Sequence, residues 1–149
     1  MINNDTIELL KQCNAGIKMG VGTIDDVFDA VESNELRDML LKSKQEHETL
    51  GNETRELLND YDDSGKEPNL MAKGMSWIKT NVMLSMNPGD NTVSDLITDG
   101  CNMGVKTLHK YLNEYEAAEE KAKNIAKRLI SIEKELAEKI SCFLQKNQA

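Results

Sequence analysis

A chain of 149 residues with a formal net charge of −8 has the length of one domain and lacks the basic face that DNA, RNA or an anionic membrane requires, so neither nucleic acid nor membrane is expected as a partner. No apolar run approaches the ~18 residues of a membrane span, and Met1-Ile2-Asn3-Asn4-Asp5 has neither the positive start nor the apolar core of an export signal. Three cysteines, an odd number, read as reduced thiols in a cytoplasmic protein, and two prolines among many Leu, Lys, Glu and Met residues read as an all-α fold.

In the first helical segment Thr6, Leu10, Cys13, Ile17, Gly20, Ile24, Val27 and Val31 recur at alternating steps of four and three, the seam of a helix packed in a bundle. Ser33 or Asn34 can cap the second segment. Its seam is Leu36, Leu40, Ser43, His47, Leu50, Thr54 and Leu57. So short a break between the two predicts an antiparallel helical hairpin over 5–60. Residues 61–91 form a long crossover. It opens on the loop-forming Asp60-Tyr61-Asp62-Asp63-Ser64-Gly65-Lys66-Glu67-Pro68, carries a short amphipathic helix with Met71, Met75, Ile78, Val82 and Met86 on one face, and stops at Asn87-Pro88-Gly89-Asp90. A second hairpin occupies 92–147. Its first helix carries Val93, Ile97, Cys101, Val105, Leu108, Leu112 and Tyr115, and its second Ala122, Ile125, Leu129, Ile132, Leu136, Ile140 and Phe143, with the boundary near Glu116-Ala117-Ala118. Two hairpins joined by a long connection predict one four-helix bundle domain over 1–149.

The stretch Cys13-Asn14-Ala15-Gly16-Ile17-Lys18 returns as Cys101-Asn102-Met103-Gly104-Val105-Lys106, identical at four positions and conservative at a fifth. An internal duplication accounts for it, with the third helix copying the first. The register weakens in helices 2 and 4, where Leu36, Leu40 and Leu41 align with Ile125, Leu129 and Ile130.

This layout resembles the ferritin-like superfamily, in which duplicated helical hairpins are joined by a long crossover. More narrowly it is similar to the uncharacterised bacterial ferritin-like proteins of about this size. The resembling stretches are Cys13 to Lys18, the crossover Met71-Ala72-Lys73-Gly74-Met75-Ser76-Trp77-Ile78-Lys79, and Gly100 to Tyr111. Metal-binding members take one Glu from each of two helices and a Glu-x-x-His pair from each of the other two, because two hard cations need bridging carboxylates and imidazoles. Here no Asp or Glu lies between Glu8 and Asp25, and none between Asp99 and Glu114. Helix 2 offers Lys44-Gln45-Glu46-His47 where Glu-x-x-His would stand. Its copy in helix 4 offers Glu133-Lys134-Glu135-Leu136.

The resemblance therefore implies a bundle whose dinuclear site is not intact. No metal is expected, and if one binds, His47 and Glu133 are its ligands. The expectation in its place is a polar network of Asn14, Lys44, His47, Asn102 and Glu133, with Lys44 paired to Glu133 across the bundle, since buried charges persist only when paired. Among the remaining residues, His109 reads as surface, and Cys13, Cys101 and Cys142 read as packing. Gly16, Gly20 and Gly22 in one helix mark a close helix–helix approach at Gly16 and Gly20, a local bend, or a groove for a small apolar ligand. The stripe Met71, Met75, Trp77, Ile78, Val82 and Met86 either docks on its own bundle or forms an interaction surface. No catalytic constellation, cofactor motif or phosphate loop is present in the sequence, so enzymatic activity and a cofactor are not expected. The expected function is a non-catalytic ferritin-like scaffold or protein-interaction module, a homodimer or bound to a protein partner. The alternative is a metal-binding or redox role with an altered site around His47 and Glu133.

Overall fold

The computed structural model describes residues 4–61 and 89–144. Within them the chain is all-helical. Four long helices, α1 (Asn4–Val27), α2 (Asn34–Asp60), α3 (Asp90–Glu114) and α4 (Glu120–Ile140), are supplemented by single 3-10 turns at Phe28–Ala30 and Ser141–Phe143. The amphipathic stripe of the expected crossover, Met71, Met75, Trp77, Ile78, Val82 and Met86, lies outside the described residues. None of the four helices is long and apolar enough to cross a membrane.

The four-three seams are the buried faces. On α1, Thr6, Leu10, Cys13, Ile17, Ile24 and Val27 are all buried, and on α2 so are Leu36, Leu40, Ser43, His47, Leu50 and Thr54. The α2 seam ends on Leu58, one residue past the expected Leu57, which is half-buried. Ser33 caps α2, its hydroxyl accepting from Leu36 N at 3.3 Å, which satisfies one of the amides that a helix start leaves without an intrahelical partner. The turn between α3 and α4 falls at 115–119, where the weak boundary signal placed it.

Helix α1 packs along α2 and α3 along α4. Helix α4 also packs against α1 and α2, and α1 against α3. Two reciprocal caps tie the hairpins end to end. The Asp90 carboxylate, in the first turn of α3, accepts from Glu32 N at 2.7 Å and Ser33 N at 3.0 Å in the α1–α2 connection. In the first turn of α1, Asp5 accepts from Ala117 N at 3.1 Å and Thr6 from Glu119 N at 2.8 Å in the α3–α4 connection. Each hairpin thus closes the loop amides of the other, so α1 starts at the end of the molecule where α3 finishes.

The core divides into two apolar clusters. One gathers Leu9, Leu10, Cys13 and Ile17 of α1 with Leu50 and Leu58 of α2, Leu108 of α3, and Ile125, Leu129 and Ile130 of α4. The other gathers Ile24 and Val27, Leu36 and Leu40, Val93, Ile97 and Cys101, and Leu136 and Ile140. Along every helix the border between them falls at one place: at Gly20, at Ser43 and His47, at Gly104, and at Glu133. A polar layer sits at that border.

Candidate functional site

His47 and Glu133 form the centre of this layer. The imidazole is 1% exposed and its Nε2 lies 3.0 Å from Glu133 Oε1. On the other edge of the ring, Nδ1 lies 2.8 Å from the Ser43 carbonyl oxygen and 3.4 Å from the Ser43 hydroxyl. A carbonyl oxygen and a carboxylate oxygen are both acceptors, so each ring nitrogen needs a proton to face its neighbour. The Nδ1–H therefore donates to the Ser43 carbonyl, and a proton bridges Nε2 and Glu133 Oε1. Burial alone would pull the His47 pKa down. The hydrogen bond and charge of Glu133, the Ser43 carbonyl and the charge of Glu46 together outweigh it and hold the pKa above the ordinary imidazole value of 6.5.

Two glycines make room for this pair. A β-carbon on Gly20 would stand 2.7 Å from His47 Nε2 and 2.8 Å from its Cδ2, closer than carbon and nitrogen can approach. The α1 backbone thus lies directly against the imidazole ring, and only the missing side chain permits it. Gly104 on α3 faces the other side, its would-be β-carbon 3.7 Å from the Glu133 carboxyl. All four helices therefore contribute to one layer: a ring and its carbonyl from α2, a carboxylate from α4, and bare backbone from α1 and α3. Of the two seam glycines in α1, the close approach belongs to Gly20. Gly16 makes ordinary contact, 3.5 Å from Leu129 Cδ2.

The expected network is corrected at three positions. Lys44 does not meet Glu133; its Nζ binds Asp25 Oδ1 of α1 at 2.7 Å on the surface. A long ammonium side chain one helical step from the seam reaches water and a surface carboxylate at far lower desolvation cost than the bundle interior. Asn102 is exposed. Asn14 is only 3% exposed, but its Oδ1 has no hydrogen-bond partner, so it stands apart from the His47–Glu133 pair. The two copies of the Cys-Asn repeat thus turn their Asn residues to different surroundings. The repeat does not carry equivalent chemistry in its two copies.

The cysteines follow the same logic. Cys13 is fully buried in the first cluster, and burial pushes its thiol pKa up to about 12. Cys101 lies beside Glu133, and burial, then the negative charge of Glu133 and a hydrogen bond to it, push its thiol far above the ordinary range. Both shifts disfavour the thiolate that nucleophilic or redox chemistry requires. Cys142, expected to pack, is instead exposed beyond the end of α4. His109 is exposed, as expected.

The donor set does not fit a dinuclear metal centre. Two hard cations need several bridging carboxylates, and this layer holds one. Both imidazole nitrogens are already hydrogen-bonded within the protein. Among the described residues no group of three or more His, Cys, Asp or Glu side chains is arranged to hold a metal ion. The residues that sequence reasoning missed are Gly20 and Gly104 as walls of the layer, and Asp5, Thr6 and Asp90 as its distant end-caps. Gly20 stood on the α1 seam as a possible close approach, but nothing in the sequence indicated that its neighbour was His47.

No family model, curated protein or solved structure matches this chain.

Proposed function

We propose that this chain is a non-catalytic scaffold or protein-interaction module built on a ferritin-like bundle, acting as a homodimer or with a protein partner, in which a structural ion pair stands where a dinuclear site would be. The observation that carries the reading is the closed hydrogen-bonding of His47: Ser43 on one nitrogen and Glu133 on the other, with α1 backbone against the ring. Such a layer fixes the register of α2 against α4, because a shift by one turn would leave two buried charges unpaired. It offers no open coordination position and no group poised to exchange a proton with a substrate. The ferritin-like part of the reading rests on the duplicated hairpins, the reciprocal end-caps and the mid-bundle position of the one surviving His and Glu.

Elemental analysis of protein purified without chelator, before and after dialysis against Fe(II), Mn(II) or Zn(II), tests this reading. The expected result is no metal near stoichiometry. One or two equivalents per chain that survive dialysis and vanish in His47→Ala would overturn it and establish the alternative, an altered metal or redox site on His47 and Glu133.

A further inference from the structure

The outward face of α3 carries Asp95, Asp99, Asn102, Met103, Lys106 and Lys110, all exposed. Met103 is the most exposed large apolar residue among those described, at 66%. About this midpoint the charges are arranged antisymmetrically. Asp99 precedes the Asn102–Met103 peptide by as many residues as Lys106 follows it, and Asp95 and Lys110 stand in the same relation.

Within one chain this arrangement is unfavourable. Asp95 and Asp99 are like charges at i and i+4, and so are Lys106 and Lys110, a spacing that destabilises a helix. None of Asp95, Asp99 and Lys106 has an opposite charge three or four residues away on the helix, and only Lys110 does, in Glu114; ion pairs elsewhere on the surface join Lys44 to Asp25, Arg128 to Glu53 and Lys139 to Glu135. The helix dipole does not account for the pattern, since it acts within the first and last turns. Asp99 and Lys106 both lie in the middle of α3, which spans Asp90–Glu114. Seven residues of helix hold them about 10 Å apart, too far to pair with each other.

A second copy laid antiparallel on this face offsets these repulsions with opposite charges. A two-fold axis through the Asn102–Met103 peptide brings Asp99 of each chain opposite Lys106 of the other, and Asp95 opposite Lys110. The two Met103 side chains then come together at the centre, out of water. An isologous interface requires this kind of self-complementarity. We infer that α3 is a homodimerisation face, paired antiparallel with α3 of a second copy about Met103. The inference gives the scaffold reading its interface but stands on different residues, so metal found at His47 would leave it intact.

A single helix pair is a small interface, below the ~1,200 Å² of stable complexes, so the dimer is expected to be reversible, with Kd roughly micromolar or weaker. Sedimentation equilibrium on the full chain from about 10 μM to about 1 mM, at low and high salt, tests it. The wild type should dimerise and lose affinity as salt rises. Asp99→Lys alone, or Lys106→Asp alone, faces like with like across the axis and should weaken the dimer at least about tenfold. The double variant Asp99→Lys/Lys106→Asp restores opposite charges and should dimerise again, and an equimolar mixture of the two single variants should form a heterodimer. Far-UV circular dichroism confirms that each variant keeps its helices. A wild type monomeric at every concentration, a dimer indifferent to the single reversals, or a double variant and mixture that both stay monomeric would each overturn the inference.

Discussion

Substituting the buried pair one residue at a time and then together measures what the layer contributes. His47→Leu leaves the Glu133 carboxylate without its imidazole donor, with only the Cys101 thiol still hydrogen-bonded to it, in a site where 11% of its side chain reaches solvent. Glu133→Leu leaves His47 with one acceptor and a ring that is 1% exposed. Removing one partner of a buried pair costs about 3–5 kcal/mol, because the remaining charge is stranded. The slight exposure of Glu133 lets water reach its tip, so His47→Leu belongs at the lower end, about 3 kcal/mol. For a chain of this size that lowers Tm by roughly 6–12 °C. Glu133→Leu is expected to cost as much or more, since the imidazole has no route to water. The double variant strands nothing. The layer is bordered on both sides by clusters that already contain leucine, Leu129 in one and Leu136 in the other, so leucines at both positions join two apolar regions. The double variant should therefore lie within about 1.5 kcal/mol of wild type, or above it, as apolar replacements of buried pairs often do. Urea denaturation of the four proteins gives the coupling energy directly. Two single losses that simply add in the double variant would refute the argument, because they would mean that each side chain is held by its own contacts and not by the other.

The same pair predicts a pH dependence of known sign. The His47 pKa is raised in the folded chain, so the stabilisation is fully present below the unfolded value of about 6.5 and is lost as pH rises through the higher folded value. The charged or polar groups facing the ring are Glu133 from α4 and Glu46 and Ser43 from α2, while α1 offers only Gly20 backbone. Denaturation midpoints should fall from pH 6.5 into the alkaline range for wild type and stay flat over that span in His47→Leu/Glu133→Leu; equal slopes would place the titrating group elsewhere. Two glycine substitutions on α1 should have opposite signs. Gly20→Ala drives a methyl into an imidazole fixed at both nitrogens and should destabilise by about 1–3 kcal/mol less the ~1 kcal/mol gained in helix propensity. Gly16→Ala meets Leu129 at an ordinary 3.5 Å and should keep most of that ~1 kcal/mol gain. Thermal melts of both variants decide it, and a stabilised Gly20→Ala would contradict the close approach of α1 to His47.

Seam periodicity made the helices legible because burial and the 3.6-residue repeat are the same fact seen twice: a residue such as Leu40 or Ile125 is apolar because its face is inside. His47 was legible for the same reason, as the one ionisable residue on an otherwise apolar or small-polar seam. Glu133 stood in the same expected network but paired to Lys44 rather than to His47, and the failure at Lys44 shows why. Lys44 and His47 are three residues apart and lean to adjacent faces, and spacing alone does not say which of the two turns inward. Desolvation decides it. An imidazolium satisfied by a carbonyl and a carboxylate is tolerated inside, whereas the lysine finds Asp25 and water within reach of its four-carbon stem. The repeat misled for a related reason, since Asn14 and Asn102 share sequence neighbours but not helix neighbours. Burial is a property of the opposite helix, which a motif does not encode.

That distinction bears on how the two halves of the chain relate. The two hairpins offer corresponding positions in the bundle, and a symmetric site would use both. Here the layer takes its imidazole from the first hairpin, where the second has Leu136, and its carboxylate from the second, where the first has Lys44. Each half lacks what the other supplies, so neither carries a complete pair, and the contact that joins them lies between α2 and α4. The end-caps have the same character: Asp90 closes the loop of the first hairpin, and Asp5 and Thr6 close the loop of the second. Polar groups that each hairpin leaves unsatisfied are satisfied only by the other, and an unpaired buried polar group is costly. The specificity of the fold therefore resides in interactions between the halves, and either hairpin alone lacks the partner of its His47 or Glu133 and the caps of its loop amides.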